Sequence, residues 1–125
     1  MFEHSETVTL AGKEYSIRCD INVLIEIQDI LGSLTDFEMK IAGLRTARKQ
    51  DGTVMMNEKN EIIFDRVEPS LKTIRDFLPF MLQEANQDTD LTEAMDAITN
   101  VRFNLYDVAV KMHNEYSKCF ERKNR

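Results

Sequence analysis

The chain has 125 residues, of which 42% are hydrophobic and 30% charged, a composition typical of a globular protein. At this length one hydrophobic core forms without disulfide or metal staples, so we predict a single domain over residues 1–125. The net charge of −6 argues against general binding to the phosphate backbone of nucleic acids. No apolar run approaches the roughly 20 residues of a membrane span, and the first residues do not resemble a signal peptide. We therefore expect no membrane contact and a cytoplasmic location.

Residues 7–19 form two short runs in which apolar and polar side chains alternate, on either side of Ala11-Gly12. A two-residue turn at Ala11-Gly12 would place Val8 opposite Tyr15 and keep every apolar side chain on one face. This pattern predicts an antiparallel β-hairpin. Because an isolated hairpin is only marginally stable in water, its apolar face must pack against another element.

After the hairpin, the pattern from Asp20 to Gly32 predicts a helix that ends at Leu31. Asp20 or Asn22 can cap its N-terminus, and Gly32 is placed for a left-handed C-terminal stop. The helix is apolar around most of its circumference, which is typical of a buried helix. We therefore predict that it forms the centre of the core beneath the hairpin.

Capping sequences and apolar periodicity predict further helices along the chain. They begin at Thr35 (fraying towards residues 45–50), cover residues 70–86, open at Asp90 and run from Val101 to about Arg122, with a frayed tail at residues 121–125. Residues 51–66 predict a small inserted hairpin with its turn at Asn57–Asn60; a loop is the alternative. The predicted fold class is thus α+β, mainly α: an N-terminal β-hairpin packed on a bundle of four to five helices, with a second small hairpin at about 53–64.

The last helix carries two apolar stripes. The main stripe consists of Val101, Leu105, Val108, Met112, Tyr116 and Cys119, and the second of Phe103, Tyr106 and Val110. Such a helix is either sandwiched in the core or offers one face to another chain, and we favour the sandwich because core helices are more common. On the helix over residues 70–86, Phe80 projects nearly opposite the predicted core face.

No reaction centre is recognisable in the residues. His4 and His113 are far apart without a partner at metal-ligand spacing, and there is no phosphate-binding loop or nucleophile motif. Cys19 and Cys119 lie on apolar stripes and are interpreted as reduced core residues. Basic residues near the C-terminus complement the dipole of the last helix, and we prefer this explanation to contact with DNA. We therefore expect no enzyme, no cofactor, no metal site and no nucleic-acid partner.

Residues 7–44 resemble the tail assembly chaperones of long-tailed phages and prophages of Gram-positive bacteria. In that family a Gly-Lys-x-Tyr turn and an apolar strand precede a helix of the form Asn-Ala-Leu-x-Glu-Leu-Glu-x-x-x-Gly. The matching residues are Gly12, Lys13, Tyr15, Asn22, Leu24, Glu26 and Gly32. Ala11 replaces the usual Asn, and residues 45–68 have the character of an insertion.

The resemblance implies a non-enzymatic protein that coats the helical tape-measure protein, keeps it soluble and recruits tail-tube subunits in the host cytoplasm. It also implies absence from the mature virion. As the surface for a partner or for self-association into a homo-oligomer we predict Phe80, Phe103, Tyr106 and Val110. The alternative function is a structural head-tail or tail component that is retained in the particle.

Overall fold

The computed structural model describes residues 5–123 and contains, within that range, five helices and two antiparallel two-stranded sheets. In chain order the elements are β1 (Thr7–Leu10), β2 (Lys13–Ser16), α1 (Ile21–Leu31), α2 (Leu34–Ala42), β3 (Leu44–Thr46), β4 (Phe64–Arg66), α3 (Leu71–Ala85), α4 (Thr92–Thr99) and α5 (Leu105–Lys123). The predicted fold class, α+β and mainly α with an N-terminal hairpin, is confirmed. Because α5 continues to Lys123, residues 121–123 are helical rather than frayed; residues 124–125 and His4 lie outside the described range.

The N-terminal hairpin has the predicted register. Ala11 and Gly12 have φ angles of 52° and 81°, both in the left-handed region, as a tight two-residue turn between twisted strands requires. Beyond β2 the Arg18 amide donates to the Met81 carbonyl at 3.1 Å and ties the hairpin to α3. The apolar face predicted from the alternation is buried throughout, each side chain being at most 6% exposed: Val8, Leu10, Tyr15, Ile17 and Cys19.

Helix α3, rather than α1, lies at the centre of the core. It packs against α1, α2, α4, α5 and β2, whereas α1 packs extensively only against α2 and α3. In α1 only Val23 and Ile27 are buried, and Ile21 is 64% exposed. The prediction of an enclosed α1 was wrong because an apolar circumference shows what a helix could bury, not how many neighbours surround it. Its caps are as predicted, with Asp20 accepting from the first turn and Gly32 in the left-handed conformation.

An aromatic cluster links α2, α3 and α5 inside the core. The ring of Phe37 lies 5.5 Å from that of Phe77 and 5.2 Å from that of Tyr116, measured between centroids. The Tyr116 hydroxyl donates to the Leu34 carbonyl at 3.3 Å. Burial, followed by the nearby Glu38 carboxylate, raises the pKa of Tyr116 to about 12, so the phenol stays neutral and keeps its donor hydrogen.

Helix α2 begins and ends differently from the prediction. Its cap is Ser33, whose hydroxyl accepts from the Asp36 amide at 3.2 Å, and not Thr35. It ends at Gly43, which has a φ of 74°, and the predicted fraying is replaced by β3. The reason is tertiary: β3 pairs with β4, a distant segment that local helix propensity does not register.

Between β3 and β4, the backbone around Ala47, Met55 and Ile63 is joined by three hydrogen bonds, one for each pair of these residues. The Ala47 amide donates to the Ile63 carbonyl at 2.9 Å, the Ile63 amide to the Met55 carbonyl at 3.1 Å, and the Met55 amide to the Ala47 carbonyl at 2.9 Å. The turn predicted at Asn57–Asn60 is present and is flanked by an isolated antiparallel bridge. The hairpin predicted at about 53–64 is thus reduced to the bridge between Met56 and Ile62, and the strands of the second sheet are β3 and β4.

Helix α5 begins at Leu105, not at Val101 as predicted. The amides of Val101 and Arg102 donate back to carbonyls of α4 at 3.2 and 2.8 Å, which forms a Schellman-type stop. Val101 therefore occupies the left-handed position of that stop, with a φ of 54°. Asn104 then caps α5, since its side-chain oxygen accepts from the Asp107 amide at 2.9 Å.

Candidate interaction surface

Helix α5 buries one face and leaves the other open. Val108, Met112 and Tyr116 are at most 4% exposed, whereas Tyr106 and Val110 are 58% and 54% exposed. The favoured prediction, a sandwich of both faces, was therefore wrong. Packing of α5 against α2, α3 and β1 covers a single side of the helix, so the second apolar stripe is available for contact.

The open face of α5 is one wall of a groove of about 650 Å³, called here the first groove. The end of α2 forms its floor, and the segment from β4 to α3 forms the opposite wall. Its lining residues are Ile41, Ala42, Gly43, Arg66, Val67, Glu68, Pro69, Tyr106, Ala109, Val110 and His113. The exposed large apolar side chains in this lining are Val67, Tyr106 and Val110, at 38%, 58% and 54%.

The wall opposite α5 is held in place by backbone contact at Gly43. The Val67 amide donates to the Gly43 carbonyl at 2.9 Å. A Cβ atom on Gly43 would lie only 2.5 Å from the Val67 carbonyl oxygen, so only glycine permits this approach. The first groove is thus a built feature of the fold, with both walls fixed.

His113, which lines the first groove, pairs with the carboxylate of Glu38, which is not part of that lining. The Nε2 atom of His113 is 3.2 Å from the Glu38 Oε2 atom. The side chain of His113 is 35% exposed and that of Glu38 is 47% exposed. The lining otherwise combines aliphatic side chains with Arg66 and Glu68. The lining of the first groove therefore combines apolar and charged side chains, as protein interfaces usually do.

A second groove, of about 270 Å³, lies between the first turn of α3 and the end of α4. Its lining residues are Leu71, Lys72, Arg75, Ile98, Thr99, Val101 and Phe103. Leu71 is 48% exposed and Val101 54% exposed, so this groove also has an apolar rim. The left-handed backbone of Val101 costs about 1–2 kcal/mol for a residue with a Cβ atom, and the β-branch adds to that strain.

The structure brings together some of the residues predicted as a partner surface and separates the rest. Tyr106 and Val110 lie on one wall of the first groove, and Phe103 lines the second groove. Phe80 lines neither groove and is partly buried against the core. The prediction that Phe80 projects away from the core was wrong because α3 has neighbours on several sides.

Sequence reasoning missed the opposite walls of both grooves. Val67 and Leu71 are exposed, at 38% and 48%, yet neither was predicted as part of the partner surface. Val101 was assigned to the core. A signal for Val101 was present: Thr99-Asn100 marks the end of α4, so the next residue falls at the position where a left-handed stop is usual.

Cys19 is buried and Cys119 is partly buried against the core, as predicted, and the two residues are neighbours. The Cys119 thiol donates to the Cys19 carbonyl at 2.8 Å. The hydrogen bond between the two thiol groups, together with burial, raises the pKa of the Cys19 thiol far above its usual range. Cys19 therefore stays protonated and unreactive, which fits a packing role.

Helix α5 also carries a fully buried carboxylate, Glu115. Its Oε2 atom accepts from the Lys118 ammonium at 2.8 Å and from the Glu6 amide at 3.2 Å. These contacts tie the chain before β1 to α5 and compensate part of the burial of the charge, whereas the Oε1 atom has no hydrogen-bond partner among the described residues. Glu115 lines neither groove, so we interpret it as structural.

Within residues 5–123, no group of three or more His, Cys, Asp or Glu side chains is arranged to hold a metal ion. In the same range, no helix combines the length and apolarity that crossing a membrane requires. No family model, no curated protein and no solved structure gives a significant match to the chain.

Proposed function

We propose that the protein is a non-enzymatic tail assembly chaperone of a long-tailed phage or prophage. In this role it binds the tape-measure protein, keeps that long helical chain soluble and recruits tail-tube subunits. It acts in the cytoplasm of the bacterial host and is left out of the mature virion. The observation that carries the proposal is the open apolar face of α5 at Tyr106 and Val110.

The residues of the family resemblance support the proposal through their structural roles. Gly12 supplies a left-handed turn residue, Tyr15 is buried in β2, and Gly32 ends α1 in the left-handed conformation. Asn22 and Leu24 lie in α1 behind its cap. The resemblance therefore concerns how a hairpin and a helix pack, which is the kind of similarity expected of a binding protein.

The surface chemistry also fits a chaperone for an apolar helix. Covering such a helix requires accessible apolar area rather than a reactive group, and apolar side chains line both grooves at their rims. The lining of the first groove comes from α2 and its cap, from α5, and from β4 with the segment that follows it, so three parts of the chain contribute to the surface.

Co-expression with the tape-measure protein tests the proposal. We expect the wild-type chain to keep the tape-measure protein in the soluble fraction, and Tyr106→Asp with Val110→Asp to lose this effect while retaining a native circular dichroism spectrum. Met56→Asp is the matched control, because Met56 is equally exposed at 53% but lies in the excursion between β3 and β4. Phe80 is unsuitable for such a test because its partial burial would also affect folding.

Unchanged solubility of the tape-measure protein with and without the wild-type chain would contradict the proposal. Mass spectrometry of purified virions separates it from the alternative, a structural tail component. A chaperone is absent from the particles, whereas stoichiometric amounts in the particles would establish the alternative.

A further inference from the structure

We infer that the two grooves form one continuous docking surface, and that its occupant is an amphipathic helix whose apolar face is flanked by acidic residues. This inference deepens the proposed function, on which it rests for the origin of that helix in a tail protein. It is carried by the placement of the two grooves, by the charge of their lining and by the strained backbone of Val101.

The grooves adjoin because the same two chain segments line both. Pro69 of the first groove lies two positions before Leu71 of the second groove. Phe103 of the second groove lies three positions before Tyr106 of the first groove. Extended chain of that length spans no more than about 7–10 Å. The joint surface from Val110 to the second groove is therefore on the order of 20 Å long, which matches three to four turns of helix.

The charge of this surface is opposite to that of the whole protein. The charged side chains that line the two grooves are Arg66, Glu68, Lys72 and Arg75, with a net charge of +2, on a chain whose net charge is −6. Asp76 pairs with both Lys72 and Arg75, and including it leaves the surface at +1. A basic lining on an acidic protein favours a partner that carries acidic residues beside its apolar face.

Val101 supplies an independent indication that this surface is used. It occupies the left-handed position where glycine is usual, so the backbone is strained, yet its side chain is 54% exposed and gains little from burial. Strain that the folded chain does not recover through packing is characteristic of functional positions. An apolar contact with a partner explains why a valine side chain stands at the rim of the second groove.

If Val101 contacts a partner, replacing it by glycine should have opposite effects on stability and on binding. Val101→Gly relieves the strain and is expected to raise Tm by about 2–5 °C. The same change removes an apolar contact from the docking surface and is expected to weaken helix binding by about 5–10-fold. A purely structural valine would not lower affinity while the protein becomes more stable.

Ala11→Gly is the matched control. Ala11 also has a left-handed backbone, with a φ of 52°, but it lies in the hairpin turn and lines neither groove. The control variant is expected to gain stability in the same direction and to bind the helix as the wild type does. Comparison of the two variants separates relief of strain from loss of contact.

The probes are two stapled peptides of about 18 residues, with leucines on one face flanked either by glutamates or by lysines. Fluorescence anisotropy with the full chain is expected to show about tenfold tighter binding of the glutamate-flanked peptide at low salt, with the preference decreasing as salt is added. Arg66→Glu combined with Lys72→Glu, one substitution from each groove, is expected to reverse the preference between the peptides.

Equal binding of both peptides, or unchanged affinity of Val101→Gly, would overturn the inference. So would a dimer in analytical ultracentrifugation that Tyr106→Asp abolishes, because the occupant would then be a second copy of the chain. Binding of a small apolar dye in the grooves without binding of either peptide would overturn it as well.

The peptides contain no phage sequence, so failure of the inference can be told apart from failure of the proposed function. If the glutamate-flanked peptide binds as expected but the tape-measure protein stays insoluble, the proposed function fails and the docking surface stands. If Val101→Gly and the Arg66/Lys72 double variant solubilise the tape-measure protein as well as the wild type does, the proposed function stands and the inference fails.

Discussion

Replacing Gly43 by alanine tests whether the wall of the first groove is held against α2 as the structure indicates. The left-handed backbone, with a φ of 74°, costs an alanine about 1–2 kcal/mol. The new Cβ atom would also lie 2.5 Å from the Val67 carbonyl oxygen, so the segment that follows β4 must move away. That movement weakens the hydrogen bond from the Val67 amide to the Gly43 carbonyl, worth about 0.5–1.5 kcal/mol.

Together these effects lower the free energy of unfolding by about 1.5–3.5 kcal/mol. With an unfolding entropy of about 2 cal/mol/K per residue, each 1 kcal/mol corresponds to about 4 °C in this chain, so Tm is expected to fall by about 6–14 °C. Differential scanning calorimetry at several scan rates gives Tm and checks reversibility.

Gly32→Ala is the matched control, because Gly32 also ends a helix in the left-handed conformation, with a φ of 81°, but an added Cβ there meets no atom within 4 Å. Only the backbone cost applies, and Tm is expected to fall by about 4–8 °C. Equal losses of Tm in the two variants would refute the reasoning, since the close approach of Val67 to Gly43 would then contribute nothing to stability.

Two further predictions concern carboxylates. The hydrogen bond with Asp20, followed by burial, raises the pKa of Glu84. The protonated Glu84 carboxyl therefore stabilises the folded state fully below about pH 4.5, and this stabilisation is lost as the pH rises through the pKa of Glu84 in the folded state. Glu84→Gln keeps a donor for Asp20 without the second charge, so urea unfolding at pH 7 is expected to show a more stable variant, and the advantage should vanish near pH 4; an advantage that grows on acidification would contradict this sign. Lys118→Met leaves the fully buried Glu115 carboxylate without its cation and is expected to cost about 3–5 kcal/mol. Lys72→Met removes an ion pair of the same 2.8 Å length at an exposed position and is expected to cost less than about 1 kcal/mol; similar losses would show that burial is not the deciding factor.

The predictions that rested on neighbouring residues were mostly confirmed. The hairpin register follows from alternation around a two-residue turn, and the structure has the predicted pairs. Asp20 and Gly32 were identified as the caps of α1 because capping depends on hydrogen bonds within one turn of the chain. The helix predicted over residues 70–86 from periodicity is present as α3, Leu71–Ala85.

The predictions that required knowledge of distant neighbours were wrong more often. Strand β3 was taken for a fraying helix end because its partner β4 is distant in the sequence. Phe80 was placed on the outside of α3, although it is partly buried. One half of the candidate surface, Tyr106 and Val110, was found from helical periodicity, but its opposite wall comes from a loop without periodicity.

The amino-acid sequence by itself determined where this chain turns, caps its helices and alternates its faces, because those preferences are set by hydrogen bonds and sterics over a few residues. The tertiary structure alone decided that α3 rather than α1 is surrounded, and that the second stripe of α5 stays exposed beside a groove. Burial depends on how many elements reach a helix from elsewhere in the chain. An apolar side chain therefore carries the same local signal whether it ends in the core or at a binding surface.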